Sequence, residues 1–309
     1  MKDAGKYNAI ATDALKQGTL ASRINAVPEL VKIKITVLVS FTTALGYFLA
    51  AKAPGFEFIF SSLGIFLLAC SSAALNQYQE SGTDLLMKRT SNRPIPSGRI
   101  SKQSALIITG LLFGAGSAVL ILKANMPAYI TGIVTFIWYN AVYTPLKKKT
   151  ALAIIPGSLV GALPPAAGWL AAGGNPLDVK ILIVSAYFFV WQIPHFWLLL
   201  LLYGEDYRKG GFPVLTEKYS REFLKVVTFA LLVATVLIAA AMPFAGIGHF
   251  TATKIILWLC SAAMLYGSYR FLASNELKRK EVVGTFMAIN LYTLLIITIL
   301  SADKLFSTL

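Results

Sequence analysis

The sequence predicts an all-α protein that crosses a membrane nine times as one domain, residues 1–309, with residues 1–30 as a cytoplasmic N-terminal segment. Three observations carry this. Hydrophobic residues fill 56% of the 309 positions and charged residues only 14%, against about a quarter charged in an ordinary soluble domain. Apolar runs of about 20 residues, the length a membrane helix requires, recur along the chain. The basic residues collect in alternate gaps between those runs, as the positive-inside rule demands.

The spans follow in order at roughly 31–51, 57–78, 103–122, 127–145, 151–172, 180–202, 223–245, 252–273 and 282–301. A bilayer offers no water to satisfy backbone groups, so such runs fold as helices. The dyad alternation of an outer-membrane barrel is missing. With the N-terminus in the cytoplasm, the first cytoplasmic stretch holds Lys2, Lys6, Lys16, Arg23, Lys32 and Lys34. The next ones hold Lys88 to Lys102, Lys147 to Lys149, Arg208 to Lys225 and Arg270 to Lys280. Only Lys52, Lys123, Lys180, Lys254 and Lys304 fall on the other side. An odd span count satisfies the rule, whereas eight spans would misplace several basic loops.

The net charge of +14 is explained by this topology. No basic stretch is interleaved with aromatics as in a base-stacking platform, so nucleic acid is not an expected partner. Cys70 and Cys260 sit in apolar runs without a CxxC or CxxCH pattern, which predicts free thiols and excludes covalent c-type heme attachment. Residues 1–30 lack the pattern of a cleavable signal, and Tyr7–Ile24 fits an interfacial amphipathic helix weakly. With no transit peptide visible, a bacterial inner membrane is the expected location.

Four polar clusters interrupt the apolar pattern. In the first, Asn76, Glu80 and Asp84 are spaced i, i+4, i+8 at the end of the second span, which stacks them on one helix face. Such groups are expensive at a membrane border unless they face a polar cavity. Carboxylates of this kind suit Mg²⁺ bound together with substrate phosphates. Arg89 and Arg93 follow, and guanidinium groups grip phosphate oxygens in a bidentate manner. Together they predict a Mg²⁺–diphosphate site. The second cluster, Tyr143 to Lys149, is either a topology signal or added cationic stabilisation of a leaving diphosphate, through Lys147 and Lys148. The third runs from Trp191 and Gln192 through Pro194 and His195 to Glu205 and Asp206. His195 is either a packed core residue or a cavity-facing acid–base group or heme contact. Asp206 is placed to help hold a second metal; Glu205 points elsewhere. The fourth, Gly157, Gly161, Pro164, Pro165 and Gly168, suits close helix packing or a kink. No Walker A, GxSxG or HExxH motif supports a nucleotide or hydrolase chemistry.

These clusters, in the stretches NQYQESGTDLLMKRTSNRPIPSGRIS, YTPLKKKT, GALPPAAGW and WQIPHFWLLLLLYGEDYRKGGFPVL, resemble the protoheme farnesyltransferases, or heme O synthases, a branch of the UbiA-type intramembrane prenyltransferases. The resemblance spans about residues 25–300. Relatives acting on aromatic acids carry N-D-x-x-D-x-x-x-D in the first region and a second aspartate-rich stretch. Here Glu80 replaces one aspartate, and QxPHF stands where that second stretch would be.

The resemblance implies nine helices around a central cavity, with farnesyl diphosphate and heme B as substrates and Mg²⁺ as cofactor. Heme O would be the product, passed on to heme A synthase or terminal oxidase assembly. In that scheme Asn76, Glu80, Asp84 and Asp206 hold metal, while Arg89, Arg93, Lys147 and Lys148 bind the diphosphate. Tyr143 and Trp191 face the allylic cation, and Gln192 and His195 meet the heme. The competing readings are a quinone-precursor prenyltransferase and a membrane transporter; against the latter, the polar groups gather on one side rather than at mid-membrane.

Overall fold

The computed structural model describes residues 20–53, 55–274 and 278–308. Of the interfacial helix expected over Tyr7–Ile24, the part up to Thr19 lies outside the described residues. Within them the fold is all-helical. The long elements are α1 (Leu20–Leu30), α2 (Ile33–Ala50), α3 (Phe58–Asp84), α4 (Lys102–Lys123), α5 (Met126–Ile137), α6 (Leu159–Ala171), α7 (Val179–Lys209), α8 (Arg221–Ala241), α9 (Thr251–Ala273) and α10 (Arg279–Phe306). Four begin at side-chain caps that take an otherwise orphaned N–H: Ser101, Asn125, Asp178 and Ser220.

Among the described residues, eight helical segments are long and apolar enough to span a membrane. They coincide with eight of the nine expected spans. The exception is the stretch expected over 127–145. There α5 stops at Ile137, and the chain continues through a π-helical turn, Trp138–Tyr143, into Thr144–Leu146 without leaving helical geometry. A π turn adds a residue to the repeat and re-aims the side chains around it; here Asn140 and Tyr143 are buried.

Consecutive helices pack on one another around a circuit, and α10 closes it by returning against α2, α7 and α9. The main core is built on α7, where Val184, Tyr187 and Leu198 meet Leu45, Leu232, Ile289 and Ile296. Large side chains such as Leu111, Leu122, Leu237 and Leu259 are exposed on the outside, as lipid-facing residues are. Cys70 is buried beside the Thr36 hydroxyl and Cys260 is half-buried; both are free thiols. His249, one of the chain's two histidines, belongs to a clamp at the opposite end from the charged cluster. Its N–H and that of Phe250 donate to the Asp303 carboxylate at 2.7 and 3.1 Å, tying α10 to the start of α9.

The glycines of the fourth cluster each meet something different. A Cβ at Gly157 would stand 2.5 Å from the Tyr143 ring, one at Gly161 1.8 Å from Gln192 Oε1, and one at Gly168 1.8 Å from the Thr43 carbonyl oxygen. The last contact lets α2 and α6 touch backbone to backbone. Gly168→Ala is therefore expected to cost about 3 kcal/mol through overpacking. Gly110→Ala, with no atom within 4 Å of its added Cβ, should leave stability unchanged or slightly raised. Thermal unfolding of the two purified variants in detergent measures the difference.

Candidate active site

Helix α3 outlasts its apolar stretch by two turns, and those turns carry the first cluster. Asn76, Glu80 and Asp84 lie on its inner face, 1%, 4% and 0% exposed. Buried polar and ionised groups require partners, and each of the three receives a cation from a different part of the chain. Arg93, in the loop after α3, donates through Nη1 to both oxygens of Asp84 at 2.8 Å. Lys147, beyond the π turn, sits 2.5 Å from Glu80 Oε1. Lys32, between α1 and α2, donates to Asn76 Oδ1 at 2.8 Å. The Asn76 amide in turn donates to the Thr144 hydroxyl at 3.1 Å.

Lys32 is the residue that sequence reasoning missed as a site group. Among six N-terminal basic residues nothing singled it out from a topology signal. The structure does: it is in the left-handed region, φ 52° and ψ 49°, alone among described non-glycine residues. That conformation costs about 1–3 kcal/mol and persists where surroundings over-determine it. It turns the chain sharply into α2 and points the ammonium inward. Burial first, and the Arg93 guanidinium second, pull this ammonium down to about 7.

Two polar segments meet at the mouth of the site. The Arg89 N–H donates to Asp206 Oδ2 at 3.1 Å, joining the loop after α3 to the end of α7. The Arg89 guanidinium lies 5.2 Å from the Tyr203 ring centre and 5.9 Å from that of Tyr207, so its charge faces aromatic rings rather than the carboxylates. Lys147 rests over Tyr143 and Phe212, at 5.4 and 5.7 Å. Lys148 is exposed and is not brought into the cluster. Glu205 is likewise exposed and pairs with Arg208 at 2.8 Å.

The Asn76 amide oxygen and the carboxylates of Glu80 and Asp84 are hard oxygen donors of the kind Mg²⁺ takes. Among the described residues no three His, Cys, Asp or Glu enclose a metal by themselves.

The third cluster forms a separate, uncharged zone deeper along α7. Trp191 donates its indole N–H to the Ile289 carbonyl at 3.3 Å. The His195 ring lies 4.8 Å from Trp191 and 4.9 Å from Phe286. Phe196 bridges the two zones, 5.4 Å from His195 and 6.4 Å from Tyr143. Gln192 fills the space that Gly161 leaves open.

The chain matches the UbiA prenyltransferase family over residues 39–292. It is 35% identical to the protoheme IX farnesyltransferase of Nitratidesulfovibrio vulgaris (strain DP4) over 247 residues, covering 78% of this chain and 84% of that one. With the protoheme IX farnesyltransferase of Oleidesulfovibrio alaskensis it shares 31% identity over 91% of this chain and 97% of that one. In fold it is similar to a digeranylgeranylglyceryl phosphate synthase, with a TM-score of 0.73 at 15% identity over 92% of this chain and 99% of that one. It is also similar to a UbiA homolog from Archaeoglobus fulgidus bound to DMAPP and Mg²⁺, with a TM-score of 0.64 at 16% identity over 88% and 99%.

The ion pairs set a stability order. Arg93→Ala leaves the Asp84 carboxylate buried and unpaired, which should cost about 3–5 kcal/mol. Adding Asp84→Asn removes that stranded charge, so the double variant should unfold at a higher temperature than Arg93→Ala alone. Thermal melts of the single and double variants provide the check.

Proposed function

This chain belongs to the UbiA prenyltransferase family, and we propose that its reaction is transfer of a farnesyl group from farnesyl diphosphate to a vinyl group of heme B, giving heme O and diphosphate. The observation that supports this most is the pairing of two unlike polar zones in one interior. The charged ladder of α3 suits a diphosphate. The uncharged wall of Trp191, Gln192 and His195 offers a flat macrocycle aromatic faces and an imidazole, where a second aspartate-rich stretch would serve an aromatic acid. The extended match to relatives bearing the protoheme IX farnesyltransferase name agrees with it.

The fold is a single domain of nine spanning helices, with Met126 to Leu146 as the fourth. The N-terminus and the charged mouth lie on the cytoplasmic side of a bacterial inner membrane. Odd span number and basic loops agree on this orientation.

The residues divide the chemistry. Asn76, Glu80 and Asp84, helped by Asp206, hold Mg²⁺, which when bound screens the diphosphate and makes it a better leaving group. Arg93, Lys147 and Lys32 supply cations where negative charge grows as the allylic C–O bond breaks. Arg89 and Lys148 extend that positive field at the mouth. Tyr143 and Trp191 present ring faces to the allylic cation. The farnesyl chain lies against apolar helix faces, and His195 contacts the heme beside its reacting edge.

Membranes carrying the chain, supplied with heme B, farnesyl diphosphate and Mg²⁺, should yield a farnesylated, hydrated heme by chromatography and mass. Asp84→Asn and Arg93→Ala should abolish it while leaving insertion intact. Prenylation of an aromatic acid instead would move the activity to the quinone branch.

Lys32 gives this site a pH dependence with a definite sign. Its ammonium is charged below about 7 and loses its charge as pH rises through that value. The KM for farnesyl diphosphate should therefore increase on going from about pH 6 to about pH 9, by about tenfold for one lost charged contact. Lys32→Met should show the high value throughout, with this slope removed.

A further inference from the structure

Where α6, α7 and α10 meet, the inner wall carries two polar side-chain atoms that lack a partner. Gln192 Oε1 and His195 Nδ1 are both buried and, among the described residues, have no hydrogen-bond partner. They are three positions apart on α7, so they share a helix face. Gly161 makes the space: a Cβ there would stand 1.8 Å from Gln192 Oε1. The His195 ring is flanked on its other side by Phe286 at 4.9 Å. Asn290 gives its amide N–H to the Phe286 carbonyl at 2.5 Å, which leaves its oxygen available to the His195 ring. With the ring proton assigned to Nε2, on the Asn290 side, Nδ1 is a bare lone pair.

Two buried acceptors on one face call for a donor with two hydrogens. Water is the smallest such molecule, and buried waters typically join polar groups that the protein leaves unpaired. A water held by both hydrogens turns its own lone pairs away from the wall, toward whatever occupies the interior.

We propose that Gln192 Oε1 and His195 Nδ1 hold the water that hydrates the prenylated vinyl group, with His195 as the base and Asn290 as its positioning residue. This rests on the heme reading given above. The vinyl π electrons form the new C–C bond as the farnesyl C–O bond breaks and diphosphate leaves. That places a cation on the vinyl carbon next to the porphyrin. The water oxygen forms a C–O bond to this carbon, and one water proton passes to Nδ1. The Asn290 oxygen, accepting from Nε2–H, stabilises the resulting imidazolium. A water held elsewhere would be out of line; a cation not captured loses a proton instead and becomes an alkene.

The test is the ratio of two products. Membranes of wild type, His195→Phe, Gln192→Leu, Gly161→Ala and Asn290→Leu are supplied with heme B, farnesyl diphosphate and Mg²⁺. Extracted hemes are then resolved by mass. Wild type should give the hydrated product. The variants should raise the fraction of a farnesylated heme lighter by one water about tenfold. Gly161→Ala does so with both acceptors intact, because its methyl displaces the Gln192 carboxamide. Hydrated product alone in every active variant, with only turnover or the KM for heme changed, overturns the proposal and leaves the heme reading standing. A loss of turnover without a changed ratio in Asn290→Leu makes that residue merely structural. No farnesylated heme from wild type overturns both.

Discussion

Charge buried at a membrane border has to be neutralised within hydrogen-bond reach, and that constraint organises this protein. Asn76, Glu80 and Asp84 line the inner face of α3, and none could stay there in a purely apolar surrounding. Each draws a cation from a different stretch of chain: Lys32, Lys147 and Arg93. The three contacts tie together the turn before α2, the last turns of α3, its following loop and the end of the π turn. They also account for local irregularities. The left-handed backbone at Lys32 delivers an ammonium to Asn76, and the helical run through the π turn leads to Thr144 and Lys147 beside the same ladder.

The same partners that make the ladder foldable make it useful. Oxygen donors and cations interleaved over two helical turns match a metal-bound diphosphate, which carries both metal-seeking oxygens and excess negative charge. Helix α7 supplies the contrasting environment further in. Its polar atoms are uncharged, its neighbours are aromatic, and Phe196 stands between the zones. Separating them keeps full charges at the membrane border, where their desolvation is smallest, and leaves the interior to neutral acceptors.

Glycine at the fourth cluster acts by what it admits. The cluster suggested close packing in the sequence, and the structure gives each glycine a separate neighbour: the Tyr143 ring, the Gln192 carboxamide and the Thr43 backbone. One therefore sets the distance between α2 and α6, while the other two make room for side chains of the two polar zones. These roles cannot be told apart in sequence, because a missing side chain carries no information about what takes its place.

The sequence by itself determined the all-helical membrane class, the places of eight spans along the chain, and the co-facial spacing of Asn76, Glu80 and Asp84. These properties are local: hydropathy over about 20 residues and a 3.6-residue repeat are written in consecutive positions. Only the tertiary structure decided which cations meet the ladder. It chose Lys32 from a crowd of basic residues, kept Lys147 and left the adjacent Lys148 exposed. It turned the Arg89 guanidinium toward Tyr203 and Tyr207 and gave its N–H to Asp206. It also divided the fourth expected span with a π turn. Partner choice depends on side chains far apart in sequence converging at the helix ends, and a change of helical repeat depends on what the re-aimed side chains then touch. Neither is encoded in any one stretch of the chain.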